Sequence, residues 1–295
     1  MILQNLHTHT VFGDGAGTPE RMARRALAAG CASLGFSEHS PLPPGRDPDG
    51  WTMAAEEEAA YRAEVLRLRR HFQGRLGVFL GLEQDYDSPP PRWDYDYLIG
   101  SVHTVERDGA FLSVDNTAEE LSEAIDGHFG GDGLALALAY FDRAGQVAER
   151  TGCQIAGHFD LVTKLNRDGR FFDEEDPRYI RAALEALEAV LARDVIFEIN
   201  TGAVARGYRP LPYPAPFLLR AIRERGGRVC ISSDCHSPSA LLFAFPQAAR
   251  LAMECGFRET WVLTDAGFQA VGLEDFLAEA EAPRPGPLGR LLRSL

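Results

Sequence analysis

The sequence predicts an α/β protein whose parallel strands close into a barrel, and two observations carry that prediction. Short apolar runs alternate with helical patterns along the 295-residue chain, seven or eight times without a break. Six of the eight histidines stand where one of those apolar runs ends. Strand-then-helix repetition means parallel strands joined by crossovers, and so many consecutive units favour a closed barrel over an open sheet. In such a barrel the C-terminal strand ends gather at one mouth, where active sites are built.

The expected strands are the apolar runs at 2–6, 33–36, 77–82, 97–102, 154–157, 195–199 and 229–231, with 260–263 as a weaker eighth. After the first run, "TPERMARRALAAG" offers Thr18 as a helix N-cap, Pro19 at the first helical position and Gly30 just past the end. "EEEAAYRAEVLRLRR" reads as a solvated helix laced with opposite charges. "PRYIRAALEALEAVLARD" (177–194) carries apolar residues three and four apart, as an amphipathic helix requires. The stretches "SPLPPGRDPDG" and "DSPPPRWD" are loops rather than linkers, because the alternation resumes after each. The chain therefore reads as one domain, with 264–295 an extension packing on the barrel. Its tail, "EAPRPGPLGRLLRSL", is expected to form a turn and a short helix.

Composition bounds the function. A net charge of −13 opposes a sequence-independent grip on nucleic acid, which needs clustered Lys and Arg. No basic region followed by an apolar run opens the chain, and "GLALALAYF" (133–141) is too short to span a bilayer. Five cysteines without a C-x-x-C pair suggest a reducing cytoplasm rather than a disulfide framework. The expected partner is a small molecule, with no nucleic acid and no membrane.

The chemistry-bearing residues cluster at the strand ends. In "NLHTHTVFGDG" His7 and His9 are two apart, so on an extended strand both point the same way while Thr8 turns into the wall. His39 follows the second strand in "FSEHS", Glu83 ends the third in "GLEQD", His103 the fourth in "GSVHT" and His158 the fifth in "AGHFD". "ISSDCH" repeats the two-residue spacing, with Asp234 and His236 facing one side and Cys235 the other. Imidazole and carboxylate at one mouth suit a multi-metal site of zinc, iron or manganese, and Asp14 is a nearby carboxylate able to join it. His71 and His128 read as surface residues, and Cys31, Cys153, Cys230 and Cys255 as small core residues.

Taken in order, "HTHTVFGDG", "SEHS", "GLE", "GSVHT", "GHFD" and "SSDCH" resemble the polymerase-and-histidinol-phosphatase (PHP) family. Within it, "GSVHTV", "GHFDLVTKLN", "EINT" and "YPAPFLLRAIRERGG…ISSDCHSP" look most like the stand-alone L-histidinol-phosphate phosphatases, over about 3–255. The resemblance implies a distorted (β/α)7 barrel with its metal site at the C-terminal strand ends, which makes 260–263 suspect as a barrel strand. It implies a trinuclear site. His7, His9, Glu83 and Asp234 would surround one ion; Glu83, bridging, would join His103 and His158 around a second; Asp14, His39 and His236 would hold a third. Two or three divalent ions would then serve hydrolysis of L-histidinol phosphate in histidine biosynthesis, with Glu83, Asp234 and His236 catalytic. Cys235 replaces a small residue common in the family; facing the wall, it should cost no ligation.

A phosphate dianion approaching an acidic protein needs positive charge beyond the metals. Lys164 and Arg206, after the fifth and sixth strands, are the candidates. Asn200, in "EINT", is a candidate to orient substrate, Asp160 to meet its amine, and Phe12, Phe159, Tyr208 and Tyr213 to line the mouth or the core. The rival readings are a PHP phosphoesterase acting on another phosphomonoester or a nucleotide, an amide hydrolase, and a non-catalytic PHP module. Glu83 at the bridging position, rather than a lysine, disfavours the amide hydrolase; retention of all nine candidate ligands disfavours the non-catalytic module.

Overall fold

A computed structural model of the chain describes residues 1–47 and 49–282. Seven parallel strands form a nearly closed barrel: β1 (Gln4–Asn5), β2 (Ser33–Phe36), β3 (Gly77–Asp85), β4 (Tyr97–Ser101), then, after a hairpin of β5 (Thr104–Arg107) and β6 (Ala110–Ser113), β7 (Ile155–Ala156), β8 (Ile196–Asn200) and β9 (Arg228–Ser232). Their lateral order is β1-β2-β3-β4-β7-β8-β9, every neighbouring pair parallel. All seven main runs become barrel strands. The eighth does not: β10 (Glu259–Thr264) pairs antiparallel with β11 (Gly267–Gly272) as a separate hairpin.

Closure between β1 and β9 uses different devices at the two ends. Near the mouth the backbones meet at a Thr8–Cys235 bridge, with His9 N donating to Cys235 O at 3.0 Å. Lower down, the Gln4 side chain donates to Leu263 O (2.7 Å) and accepts from Leu263 N (2.7 Å), so a side-chain amide does what a ladder would have done. The β10–β11 hairpin thus sits at the seam. Leu263, with Trp261 and Phe268 beside it, joins Leu6, Phe79, Tyr97, Ile99, Ile155, Ile196 and Cys230 in one apolar cluster. Tyr97 is the bulkiest of these, and a Cβ at Gly81 would lie 2.2 Å from its ring, so only glycine leaves it room.

Helices cover the barrel as their patterns require. In the helix Pro19–Ala28, Thr18 Oγ1 accepts from Arg21 N at 3.3 Å and Gly30 follows at φ 76°, as its start and stop signals predict. The amphipathic pattern at 177–194 forms a helix over Pro177–Leu191. Helix Glu58–His71 covers most of the charged stretch and ends one residue beyond it, and Gly133–Thr151 buries Leu134, Leu136, Tyr140, Phe141 and Val147 against the core. All five cysteines are buried. No helix among the described residues is long and apolar enough to cross a membrane.

Within the segment after 263, helix Leu273–Glu281 buries Leu273 and Phe276, and Phe276 stacks on Phe245 at 6.1 Å. Glu279 Oε2 accepts from the backbone N–H of Ile2 at 2.7 Å, tying this helix to the start of β1. The turn and helix expected at the extreme C-terminus lie outside the described residues from 283 onward. Phe276 is 1% exposed, so Phe276→Ala should destabilise the protein by about 3–5 kcal/mol, read as a fall in urea midpoint at constant slope. A change under about 1 kcal/mol would mean that this helix does not complete the core.

Candidate metal centre

Five of the six strand-end histidines converge on one carboxylate, and the sixth, His236, stands beside Asp14. Glu83, fully buried on β3, has five ring nitrogens around it: His39 Nδ1 at 2.8 Å, His158 Nε2 at 2.9 Å, His7 Nε2 at 3.0 Å, His9 Nε2 at 3.4 Å and His103 Nε2 at 3.5 Å. Asp234 Oδ1 lies 3.2 Å from His9 Nε2 and 3.7 Å from His7 Nε2. Asp14 completes the outer side, with Oδ2 3.0 Å from His236 Nε2 and Oδ1 3.9 Å from His39 Nε2. All nine residues named as candidate ligands are therefore in one place.

Local geometry explains how. The His7 and His9 rings lie 5.1 Å apart on the mouth side, while Thr8 turns back and donates to Gly35 O at 2.8 Å. Asp234 and His236 also face the mouth and Cys235 the wall, but not by simple extension: Asp234 has φ 48°, a left-handed conformation that costs about 1 kcal/mol and that Asp tolerates better than most residues. Arg206 Nη1 donates to Asp234 O at 3.0 Å and so holds that turn. The loop bearing Asp14 folds back on His9 so tightly that a Cβ at Gly15 would lie 2.4 Å from the His9 carbonyl carbon.

The donor set fits divalent cations. His7 Nε2, both His9 ring nitrogens, His39 Nδ1 and Glu83 Oε2 are buried without a hydrogen-bond partner, a costly state for polar atoms unless a cation meets them. Four groups of three or four ligand atoms lie within 4.8 Å: His9/Asp14/His39/His236, His7/Glu83/His158, His7/His9/Asp234 and His39/Glu83/His103. Imidazole and carboxylate without thiolate suits zinc, iron or manganese.

Charge and burial set the protonation of the metal-free centre. Burial opposes charge on His103, yet the hydrogen bond to Asp85 and the charges of Glu83 and Asp115 win, lifting its pKa to about 9. His7 is raised in the same way against its burial by Glu198, Glu83 and Asp234. His9 goes the other way, to about 3, through burial and the charges of His39 and His236. The stability that the His103 proton confers is complete below about pH 6.5 and is lost as pH rises through about 9. Metal-free protein should therefore melt at a lower temperature at pH 9.5 than at pH 6.5, and metal added at pH 7 should release protons, since ligating imidazoles are neutral. Melting in chelator across this range and uptake in weak buffer check both; uptake without proton release would contradict the assignment.

Several groups supporting the centre are not among the candidate residues drawn from the sequence. Asp85 Oδ2 lies 2.9 Å from His103 Nδ1, and Glu198 Oε1 lies 2.7 Å from His7 Nδ1. Asp85 was legible as the second acid in "GLEQD", two residues after Glu83 and so on the same face; Glu198 opens the quoted motif "EINT", but as an acid inside an apolar strand it had no partner visible from the sequence. Trp51, from a loop that Asp47 organises by accepting from the N–H groups of Gly50 (2.8 Å) and Thr52 (2.8 Å), stands edge-on to His39 at 4.6 Å and His103 at 5.1 Å. The β5–β6 hairpin was legible in principle: Asp108 and Gly109 both have positive φ (53° and 78°), the signature of an Asp-Gly hairpin turn.

The centre opens into a cavity of about 470 Å³, lined beyond the ligands by Trp51, Asp115, Glu120, Lys164, Arg206 and Tyr208 among others. Arg206 lines it but is already engaged, with Nη2 3.0 Å from Asp234 Oδ2. Lys164 also lines it, with Nζ held 2.9 Å from Asp115 Oδ2, a partner brought by the hairpin region. Asn200 and Asp160 do not line it. Asn200 is fully buried, donating to Glu198 Oε2 (2.9 Å) and accepting from Gly202 N (2.8 Å), which gives it a structural rather than a substrate-facing position. Asp160 is buried with Oδ2 accepting from Ala215 N at 2.9 Å, its pKa pushed to about 6 by burial, so it does not reach a substrate amine. Of the four aromatics, Tyr208 reaches the cavity, Phe159 and Tyr213 belong to the core, and Phe12 packs edge-on against Tyr61.

Comparison with known proteins gives the arrangement a lineage. Residues 5–202 match the PHP domain family. The chain is 33% identical over 261 residues to a protein of Deinococcus radiodurans named "Probable histidinol-phosphatase", covering 85% of this chain and 93% of that one. It is 25% identical over 261 residues to the histidinol-phosphatase of Bacillus subtilis, covering 81% and 95%. Its fold superposes on the structure of a Lactococcus lactis histidinol phosphate phosphatase complexed with zinc, L-histidinol and phosphate, with a TM-score of 0.66 at 20% identity, over 90% of this chain and 98% of that one.

Proposed function

The chain belongs to the PHP domain family, and from that membership we propose that it is a metal-dependent phosphomonoesterase hydrolysing L-histidinol phosphate to L-histidinol and phosphate. The observation that carries the reading is the ring of five imidazoles on Glu83, with unpartnered nitrogens, at the floor of a cavity large enough for a small phosphoester. We assign two or three divalent ions, zinc, iron or manganese, to His7, His9, Asp14, His39, Glu83, His103, His158, Asp234 and His236. Such ions, when bound, activate water for attack on phosphorus and neutralise charge on the phosphoryl oxygens.

The chain's own residues do the rest. Glu83, reaching five rings, would be the ligand shared by ions held in this centre. Arg206 presents a cationic wall beside His236 while its fork holds Asp234 in place. Asp49 and Glu120 bring carboxylates to the outer cavity, beside Arg46 and the Lys164–Asp115 pair, and could meet a substrate whose far end carries an amine, while Trp51 and Tyr208 offer aromatic faces there. Hydrogen bonding between Asn116 Nδ2 and Glu120 Oε2 (2.9 Å) steadies that wall.

Phosphate release by purified, Mn²⁺-supplemented protein on L-histidinol phosphate, beside sugar phosphates and nucleotides, tests the reading. A kcat/KM on L-histidinol phosphate at least about a hundredfold above the panel is expected, equivalent to roughly 2.7 kcal/mol of discrimination. Equal slow turnover of every substrate would keep the metal chemistry and discard the substrate; no release by metal-loaded protein would discard both.

A further inference from the structure

Glu198 lies in the middle of β8, fully buried, outside the set of candidate ligands. Four groups surround its carboxylate. Oε1 faces His7 Nδ1 at 2.7 Å and accepts a short hydrogen bond from Ser232 Oγ; Oε2 accepts from His158 N at 2.8 Å and from Asn200 Nδ2 at 2.9 Å. The Asn200 amide cannot be turned the other way, because its Oδ1 accepts from Gly202 N at 2.8 Å. His158 N and Asn200 Nδ2 can only donate, Ser232 Oγ donates in this geometry, and the fourth group, His7 Nδ1, meets a carboxylate oxygen that already accepts that hydroxyl.

We propose that Glu198 is a positioning residue that fixes His7 with its proton on Nδ1, so that the Nε2 lone pair faces the centre. The inference rests on the proposed metal-dependent function. Its physical content is a counting one. Only an ionised carboxylate offers two oxygens and no proton to four converging donors. With Nδ1 committed, His7 Nε2 faces Glu83 Oε2 at 3.0 Å, so that a cation must lie between them, and a metal ion taken there would meet the Nε2 lone pair. The same carboxylate ties the ends of β1, β7, β8 and β9 together, so the ring is held relative to His158, whose backbone N–H it also anchors. A carboxylate behind a ligating imidazole orients the ring and typically contributes ten- to hundredfold in metal affinity.

Glu198→Gln tests this, because its amide would turn an N–H₂ towards two donors. Chelator competition on the folded variant should show divalent-ion affinity weakened about ten- to hundredfold, with kcat lowered and KM for the phosphoester close to wild type. In a His7→Gln background the same change should weaken affinity by less than about threefold, since the ring it acts through is gone. An unchanged affinity with only a lower melting temperature would reduce Glu198 to a structural residue and overturn the inference, as would full additivity with His7→Gln. Should Glu198→Gln not fold, the histidine tautomers of zinc-loaded wild type decide: a long-range ¹H–¹⁵N spectrum should show His7 protonated at Nδ1, and a proton on Nε2 would overturn the proposal. Wild-type protein that binds no divalent ion would overturn the proposed function along with it, whereas wild-type binding matched by the variant overturns this inference alone.

Discussion

Replacing Glu83 by Gln should reduce turnover by on the order of 10³-fold or more, about 4 kcal/mol of lost transition-state stabilisation, and lower the bound metal while leaving the secondary structure unchanged. Glu83 Oε1 and Oε2 between them reach His7, His9, His39, His103 and His158, so an amide removes the charge and half the acceptor capacity from every group sharing it. The fold should tolerate the change because β3 is hydrogen-bonded along its length to β2 and β4. Metal analysis, circular dichroism and steady-state kinetics on one preparation check all three. Full activity with full metal content would remove Glu83 from the centre.

Arg206→Ala should lower kcat/KM by about ten- to more than a hundredfold, roughly 1.5–3 kcal/mol, through both kcat and KM. A purely phosphate-gripping arginine would move KM alone, which is what the sequence by itself suggests. The structure gives Arg206 a second role, because its fork spans the Asp234 carboxylate (3.0 Å) and carbonyl (3.0 Å) and approaches His236 Nδ1 at 3.2 Å. Removing it frees a carboxylate of the centre and the left-handed turn that aims it. Arg206→Lys, which keeps the charge and loses the fork, should recover KM more than kcat. A rise in KM with kcat intact in the alanine variant would return Arg206 to substrate binding alone.

The candidate ligands were legible because the signals that place them are local. His7 and His9 alternate with Thr8 on one strand; Glu83, His103 and His158 each sit where an apolar run ends, and parallel topology then carries every such end to one rim. The substrate-facing residues were less legible. Lys164 looks like a free cation in the sequence because nothing near it shows Asp115, which approaches from a segment 49 residues away. Asn200 and Asp160 stand beside the right motifs, but at their positions the backbone turns the side chains into the wall. The run at 260–263 has the composition of a strand and forms one, yet it pairs antiparallel with β11 rather than extending the parallel ladder.

By itself, then, the sequence determined the order of the seven barrel strands, the parallel barrel and the list of donors at its mouth. These follow from the period of two in a strand, the caps of helices and the position where each apolar run stops, all properties of neighbours along the chain. Only the tertiary structure decided which donors stand close enough to share an ion, that Glu198 backs His7 across 191 residues, that Arg206 serves Asp234 before any substrate, and that a glutamine side chain completes the seam between β1 and β10. Those are contacts between strands, set by register, tilt and the packing of the barrel interior. A shift of one residue in register would exchange the faces of a strand and replace them all.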